Sequence, residues 1–212
     1  MNNLDTNNCI EMLSACLEDI KANVPLLCRL DSFVGDGDHG LTVSRGFEAA
    51  YAKVVQSGCA SPYQVFNVFS KELGRSMGGA IRPIFQSIFL RMSNAIKESR
   101  SLGARELLDM QKKGLQSVMV IGGAKVGDRT LVDSFYPAAA AYEEAYGQGK
   151  NMGECIRAAA EAAEKGCKGT ENLVAKKGRA KFLGEKSKGH QDAGATSMYL
   201  IYKAMSDYIN GN

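Results

Sequence analysis

Apolar residues recur at three- and four-residue steps along nearly the whole 212-residue chain, a period that leaves little but helix to fold into. In the first segment Ile10, Leu13, Leu17, Ile20, Val24 and Leu27 mark one helix face. A second helix is expected from about Leu41 to Val55, with Val43, Phe47, Ala50 and Val54 inward. Ser61-Pro62 opens a third, proline being well suited to a first turn. A fourth follows Pro83, a fifth covers about Ala104 to Val120, and a sixth follows Thr130. An alanine-rich seventh runs from about Met152 to Val174, and the last from about Ala193 to Ile209. No stretch alternates with the period of a strand. The expectation is an all-α fold of about eight helices whose short loops impose antiparallel, up-and-down packing, in a single domain over 1–212.

Composition removes several functions. With 45% hydrophobic and 23% charged residues the chain can bury a core and is not disordered. A net charge of +3 is too mild for a nucleic-acid footprint. No apolar run reaches the length of a membrane span. The opening residues MNNLDTNNC lack the basic and apolar regions of a signal peptide, so the cytoplasm is the expected location. Cys9, Cys16, Cys28, Cys59, Cys155 and Cys167 form no C-x-x-C pair and read as reduced structural thiols. Neither histidine, His39 or His190, has a cysteine nearby, which argues against zinc.

Parity then sorts the loops. In an up-and-down bundle, connections 1–2, 3–4, 5–6 and 7–8 share one end. They contain GDGDHG, MGGAIRP, VGDRT and KGRAKFLGEKSKGHQDAGAT. The remaining loops, near 57–61, 98–104 and 147–151, are ordinary turn sequence. Unusual chemistry is therefore expected at one end.

Asp31, Asp36 and Asp38 stand close together among glycines. Asp31 falls near a helix C-terminus, where the macrodipole disfavours negative charge. Hard, oxygen-only ligands in small number suit magnesium. The plainer reading makes Asp36 and Asp38 turn and cap residues. An EF-hand is excluded: counted from Asp36, positions 5 and 12 are Gly40 and Phe47, where oxygen ligands are required. SMGGAIRP could present free N–H groups at a helix start to an anion, or be an ordinary glycine turn. In VGDRT, Asp128 or Thr130 could simply cap the next helix. The segment 175–197 gathers Lys176, Lys177, Arg179, Lys181, Lys186 and Lys188 ahead of His190 and Asp192. Such runs are usually solvated, but this one faces the acids, as a magnesium–nucleotide site requires.

GDGDHGLTVSRGF, SMGGA-x-x-P, GDRT-x-x-D and GRAKFLGEKSKGHQDAGATS, in this order and spacing, resemble the nucleotide-binding L subunit of dihydroxyacetone kinase. The resemblance covers nearly the whole chain. It implies an eight-helix antiparallel barrel with ADP or ATP and two Mg2+ at one end. It implies partners too: a phospho-histidine donor subunit, M, that recharges the bound nucleotide, and a K subunit that holds the sugar. Nucleic acid and membrane are not expected partners, and a homodimer is compatible with the resemblance. Asp31, Asp36 and Asp38 would be the magnesium ligands. His39 and Thr42 would lie against the nucleotide, and Gly79, Ala80 and the Ile81 N–H would meet the phosphates. Gly122 and Thr130 would border the adenosine, Arg179 would contact the nucleotide, and Asp192, Ala193 and Gly194 would close over it. For His190 a direct role and a loop anchor stand level.

No catalytic nucleophile is implied. Two departures stand out: the family's phosphate loop usually reads G-G-A-S-G-P, whereas this chain has Ile81-Arg82, and Ala193 replaces a proline. The expected activity is that of a phosphotransferase subunit acting with K and M on dihydroxyacetone or another short ketose. The alternative is a non-catalytic nucleotide-binding module with an altered phosphate loop.

Overall fold

Asn23 breaks the first expected helix in two. Pro25 has no N–H to donate and its ring crowds the preceding turn, so α1 (Thr6–Ala22) stops and α2 (Val24–Ser32) begins with proline in its first turn. The Asn23 side chain takes up part of the break, its Nδ2 donating to the Asp19 carbonyl at 2.8 Å. This computed structural model describes residues 1–211; Asn212, the last residue of the expected domain, lies outside the described residues. The remaining helices are α3 (His39–Gln56), α4 (Pro62–Ser76), α5 (Ile81–Ala95), α6 (Ala104–Gly122), α7 (Val132–Gly147), α8 (Met152–Gly169) and α9 (Ala193–Asn210). α5 starts ahead of Pro83 rather than after it, which is permitted because the first helical N–H groups have no intrahelical partner. α8 ends before the expected Val174 and passes into a 3-10 turn at Thr170–Asn172. The long connection to α9 holds a further 3-10 segment, Arg179–Ser187, broken at Gly184.

From α3 onward each helix packs on the next, and α9 returns onto α1, closing a ring with no free edge. Met12, Phe66, Phe89, Met92, Phe135, Met198 and Met205 line its apolar interior. Phe47 meets Phe69 and Phe89 edge-on at 5.2 and 5.8 Å. Burying such side chains stabilises by about 1.5–3 kcal/mol each, whereas exposed pairs such as Arg105–Asp109 contribute about 0–1 kcal/mol. The shared interior, not surface charge, therefore closes the barrel. Inside it, Tyr202 donates to Gln111 Oε1 at 2.8 Å and Gln111 Nε2 donates to the Leu107 carbonyl, so this buried polar pair is matched.

Between α7 and α8 the approach is closest. Pro137, inside α7, cannot donate to the Asp133 carbonyl one turn back. Gly166 of α8 packs on that carbonyl, and a methyl added there would overlap it. The six cysteines are free, and burial pushes the Cys9 and Cys16 thiols up to about 12, which suits small apolar fillers. Among the described residues, no helix is long and apolar enough to cross a membrane.

The loops divide between the two ends of the barrel as parity requires, with α1 and α2 together taking the place of the first expected helix. At one end the N-terminal segment pairs Leu4 with Leu102, and Asn210 meets Arg157 and Gly153. At the other end lie the connections α2–α3, α4–α5, α6–α7 and α8–α9.

Candidate functional site

Asp31 is set in the last turn of α2, and the chain then folds tightly back on it. The N–H groups of Val34 and Gly35 both donate to the Asp31 carbonyl, and the Asp38 N–H donates to Asp31 Oδ2 at 3.1 Å. Gly35 lets the Asp31 carboxylate lie against the turn: a Cβ would come to 2.5 Å from Asp31 Oδ1 and displace it. One oxygen from each of Asp31, Asp36 and Asp38 lies within 4.8 Å of the others. Asp38 stands at the N-cap of α3 but its side chain makes no capping bond, so the plain cap reading fails for it. Desolvation first, and then the charges of Asp36 and Asp31, push its carboxyl above the usual range. Three converging carboxylates, one of them uncomfortable when ionised, form a donor set for a hard divalent cation.

Arg179 supplies the nearest opposite charge. Its guanidinium pairs with Asp36, and that hydrogen bond is the main cause of the lowered Asp36 carboxyl. Phe33 stacks on His190 with ring centroids 3.5 Å apart. The first and fourth loops are thus joined twice, and the stack gives His190 an anchoring contact. At the base of the acidic loop, burial pushes the His39 imidazole down to about 4, so it is neutral at pH 7. Ser197 Oγ donates to the Ala193 carbonyl. The network therefore assigns His39 Nε2 as donor of its 2.6 Å bond to Ser197, with Nδ1 left as an acceptor.

The third loop is organised by Asp133, which accepts from Gly127 N at 2.5 Å and Thr130 N at 2.7 Å. Asp128 instead turns back to Lys125 N, and Thr130 Oγ1 accepts from Val132 N at the start of α7. Lys176 N donates to the Asp128 carbonyl, tying the third loop to the fourth. Asp192 is the N-cap of α9, its Oδ2 accepting from Ala195 N at 2.8 Å, and Ala193 is the first helical residue, where no proline is needed. Desolvation pushes Asp192 up to about 6. The second loop presents Gly79 with φ +64°, a conformation glycine tolerates, and α5 begins at Ile81 without a side-chain cap. Gly79, Ala80 and Arg82 are exposed. Among the described residues no hydrogen bond or ion pair ties this loop to the other three.

The structure therefore brings together Asp31, Asp36, Asp38, His39 and Arg179, and links Thr130 with Asp192–Gly194 through the third and fourth loops. Thr42 lies in the first turn of α3, its N–H donating to the Asp38 carbonyl, and Gly122 ends α6. The sequence assigns no individual role to Phe33, Arg129, Asp133 or Ser197, although the last three stand inside the GDRT-x-x-D and GRAKFLGEKSKGHQDAGATS motifs. The spacing of Asp133 after Thr130 carried a usable signal, since a carboxylate three residues on can cap backwards. Membership of a motif marked Arg129 and Ser197 without their partners, which lie far off in sequence, and Phe33 carried no signal.

Fold and site together define an all-helical barrel that presents converging acids and a cationic arm from loops at one end. The chain belongs to the DAK2 domain family, whose match spans residues 33–207. It is 32% identical to the PEP-dependent dihydroxyacetone kinase, ADP-binding subunit DhaL, of Escherichia coli, over 96% of this chain and 97% of that one. It is 31% identical to the PTS-dependent dihydroxyacetone kinase ADP-binding subunit of Lactococcus lactis, over 97% of this chain and 99% of that one. An L-erythrulose kinase of Pectobacterium atrosepticum is 32% identical, and this chain spans 34% of its length. In fold, the chain superposes on the dihydroxyacetone kinase of C. freundii with a TM-score of 0.73 at 23% identity, covering 94% of this chain and 34% of that one. These relatives are kinases or kinase subunits.

Proposed function

We propose that this chain, acting as one domain, carries magnesium and ADP (or ATP) for a kinase of dihydroxyacetone or a related short ketose. The observation that carries the reading is the convergence of Asp31, Asp36 and Asp38 opposite Arg179 at the loop end of a DAK2 barrel. Near-full-length similarity to ADP-binding subunits supports the same ligand. Asp31, Asp36 and Asp38 hold the magnesium, two ions by family resemblance. Magnesium bound there offsets phosphate charge in an in-line transfer. The N–H groups of Gly79, Ala80 and Ile81 hold the phosphates, and Arg179 exchanges Asp36 for the nucleotide. Neutral His39 and Thr42 lie along the nucleotide. Gly122 and Thr130 border the adenosine, and Asp192, Ala193 and Gly194 close over it. No side chain of this subunit forms a covalent intermediate.

The sugar sits on a separate K subunit, and a phospho-histidine on an M subunit recharges the nucleotide. Phe33, Leu41, Val126 and Phe182 are exposed around the loop end, Phe182 to 82%. Such a rim suits docking of the sugar-bearing partner over the nucleotide. The ketose is chosen by that partner, and relatives named as erythrulose kinases leave a four-carbon sugar open.

The test is to denature freshly purified protein and identify released nucleotide by chromatography and mass spectrometry, with magnesium measured on the same sample. Near-stoichiometric ADP with magnesium supports a resident, recharged nucleotide. Protein that is empty yet binds added ATP reversibly points to ATP as donor. Protein that takes up neither nucleotide overturns the reading.

Ile81-Arg82 favours a second reading, a non-catalytic module that regulates a partner. Arg82 is exposed at the start of α5, at a position where the family resemblance implies glycine. If its guanidinium joins the phosphate donors, Arg82→Gly weakens Mg-ADP binding about tenfold in calorimetry, the worth of one charge-assisted bond. Unchanged affinity removes Arg82 from the phosphate set. A gain in affinity means its bulk obstructs the site and moves the second reading ahead.

A further inference from the structure

Arg129 is the only non-glycine residue with positive φ among the described residues, at +58°. Left-handed backbone is unfavourable for any residue with a Cβ. The side chain is also fully buried, at 0% exposure. Its Nη2 donates to the His190 carbonyl at 2.9 Å, and its Nη1 lies 3.9 Å from Asp192 Oδ1. Nε and Nη1 have no hydrogen-bond partner. A strained backbone and a buried, half-satisfied cation are both expensive, and they persist only where the surroundings impose them.

What surrounds Arg129 is the junction of two loops. On one side lies the α6–α7 loop that ends in Thr130. On the other lies the turn from His190 to the cap of α9. Asp192 faces both ways: Oδ2 caps Ala195 N while Oδ1 looks toward Arg129, and its own N–H donates to Thr170 Oγ1 at 2.9 Å. A planar guanidinium spreads five N–H groups over a wide fork and so spans a carbonyl and a carboxylate, whereas lysine gathers its three donors at a single point.

We propose that Arg129 is a positioning residue, fastening the 189–193 turn to the α6–α7 loop and drawing closer onto Asp192 when nucleotide enters between them. The proposal rests on the nucleotide reading above for its second half only. The fastening is a property of the free protein. The N–H groups now without partners are those that closure would use. Arg129 touches neither phosphate nor metal in this scheme; it acts by holding Thr130 and Asp192–Gly194 in mutual register.

The experiment uses the full chain with Arg129→Lys and Arg129→Met, Arg129→Lys being the variant expected to fold without difficulty. Amide hydrogen exchange is followed by mass spectrometry over 126–131 and 188–196, with and without Mg-ADP. In the free Arg129→Lys protein, exchange of both segments is expected to rise at least about fivefold, with the barrel helices unchanged. Mg-ADP should protect 188–196 in the wild type and fail to do so in the variant, with affinity about tenfold weaker. In a double-mutant cycle with Asp192→Asn, coupling should appear in ADP affinity and be smaller in the thermal midpoint. Coupling in the midpoint alone would reduce Arg129 to a packing role and overturn the proposal. Unchanged exchange at 188–196 in free Arg129→Lys overturns the fastening. A wild type that binds no ADP overturns the nucleotide reading and the closure with it, while the free-protein exchange still decides the fastening.

Discussion

Asp38→Asn is expected to lower divalent-cation affinity by more than about a hundredfold, read by manganese binding in calorimetry or spin resonance, and to remove magnesium-dependent ADP binding with it. The magnitude follows from the ligand set. Loss of even an outer partner of a metal ligand costs about 10–100-fold in affinity, and here one of the three proposed carboxylate ligands would lose its charge. Fold and function separate cleanly at this position. The Asp38 side chain makes no capping bond, and it carries the strain of two neighbouring acids. The metal-free variant should therefore melt at the wild-type temperature or above it. A variant that binds manganese as well as the wild type would mean the triad is not the metal site. One that lost binding only by unfolding would mean Asp38 supports the loop rather than the ion.

Gly166→Ala should destabilise the protein by about 1–3 kcal/mol, the usual cost of overpacking, as read by urea unfolding. The sign is the informative part. Alanine is the better helix former by about 1 kcal/mol, so on propensity alone the change would stabilise α8. Steric overlap with the Asp133 carbonyl opposes it, because that oxygen is fixed backbone and cannot swing aside. For a chain of this length, a loss of 1 kcal/mol lowers the midpoint by about 2–4 °C. The consequence should extend beyond stability. α8 leads into Thr170, whose hydroxyl receives the Asp192 N–H, so a displaced α8 shifts the cap of α9 and weakens ADP binding as well. A variant as stable as the wild type or more so would show that the two helices can part without cost.

Helices were legible because burial on one side writes a period of three to four into the sequence. The same regularity hid the break at Asn23: Val24 and Leu27 continue the apolar stripe, and Pro25 was the warning against a straight helix. The end of α8 was overrun for a similar reason, since Leu173 and Val174 extend the pattern into what folds as a loop. Loop parity needed only the helix count, so the site end could be located without any geometry. The aspartates were legible by their spacing. Arg179 was singled out by resemblance, but its pairing with Asp36 was not, because the two are joined only through the fold. Arg129 reads in sequence as one more loop cation. Its burial and its left-handed backbone are set by neighbours some sixty residues away in the chain, His190 among them.

The exposed arm between α8 and α9 has one further consequence. Lys176, Arg179, Lys181, Lys186 and Lys188 stand in solvent on or beside a short, broken 3-10 segment, whereas Ser187 is buried and ties Ala175 and Gly184 together beneath them. A trypsin-like protease should therefore nick the free protein first within this arm, ahead of any helix. A ligand that drew Arg179 inward would slow that first cut without altering later ones. Occupancy of the site could then be followed on a gel, with no partner subunit and no sugar present.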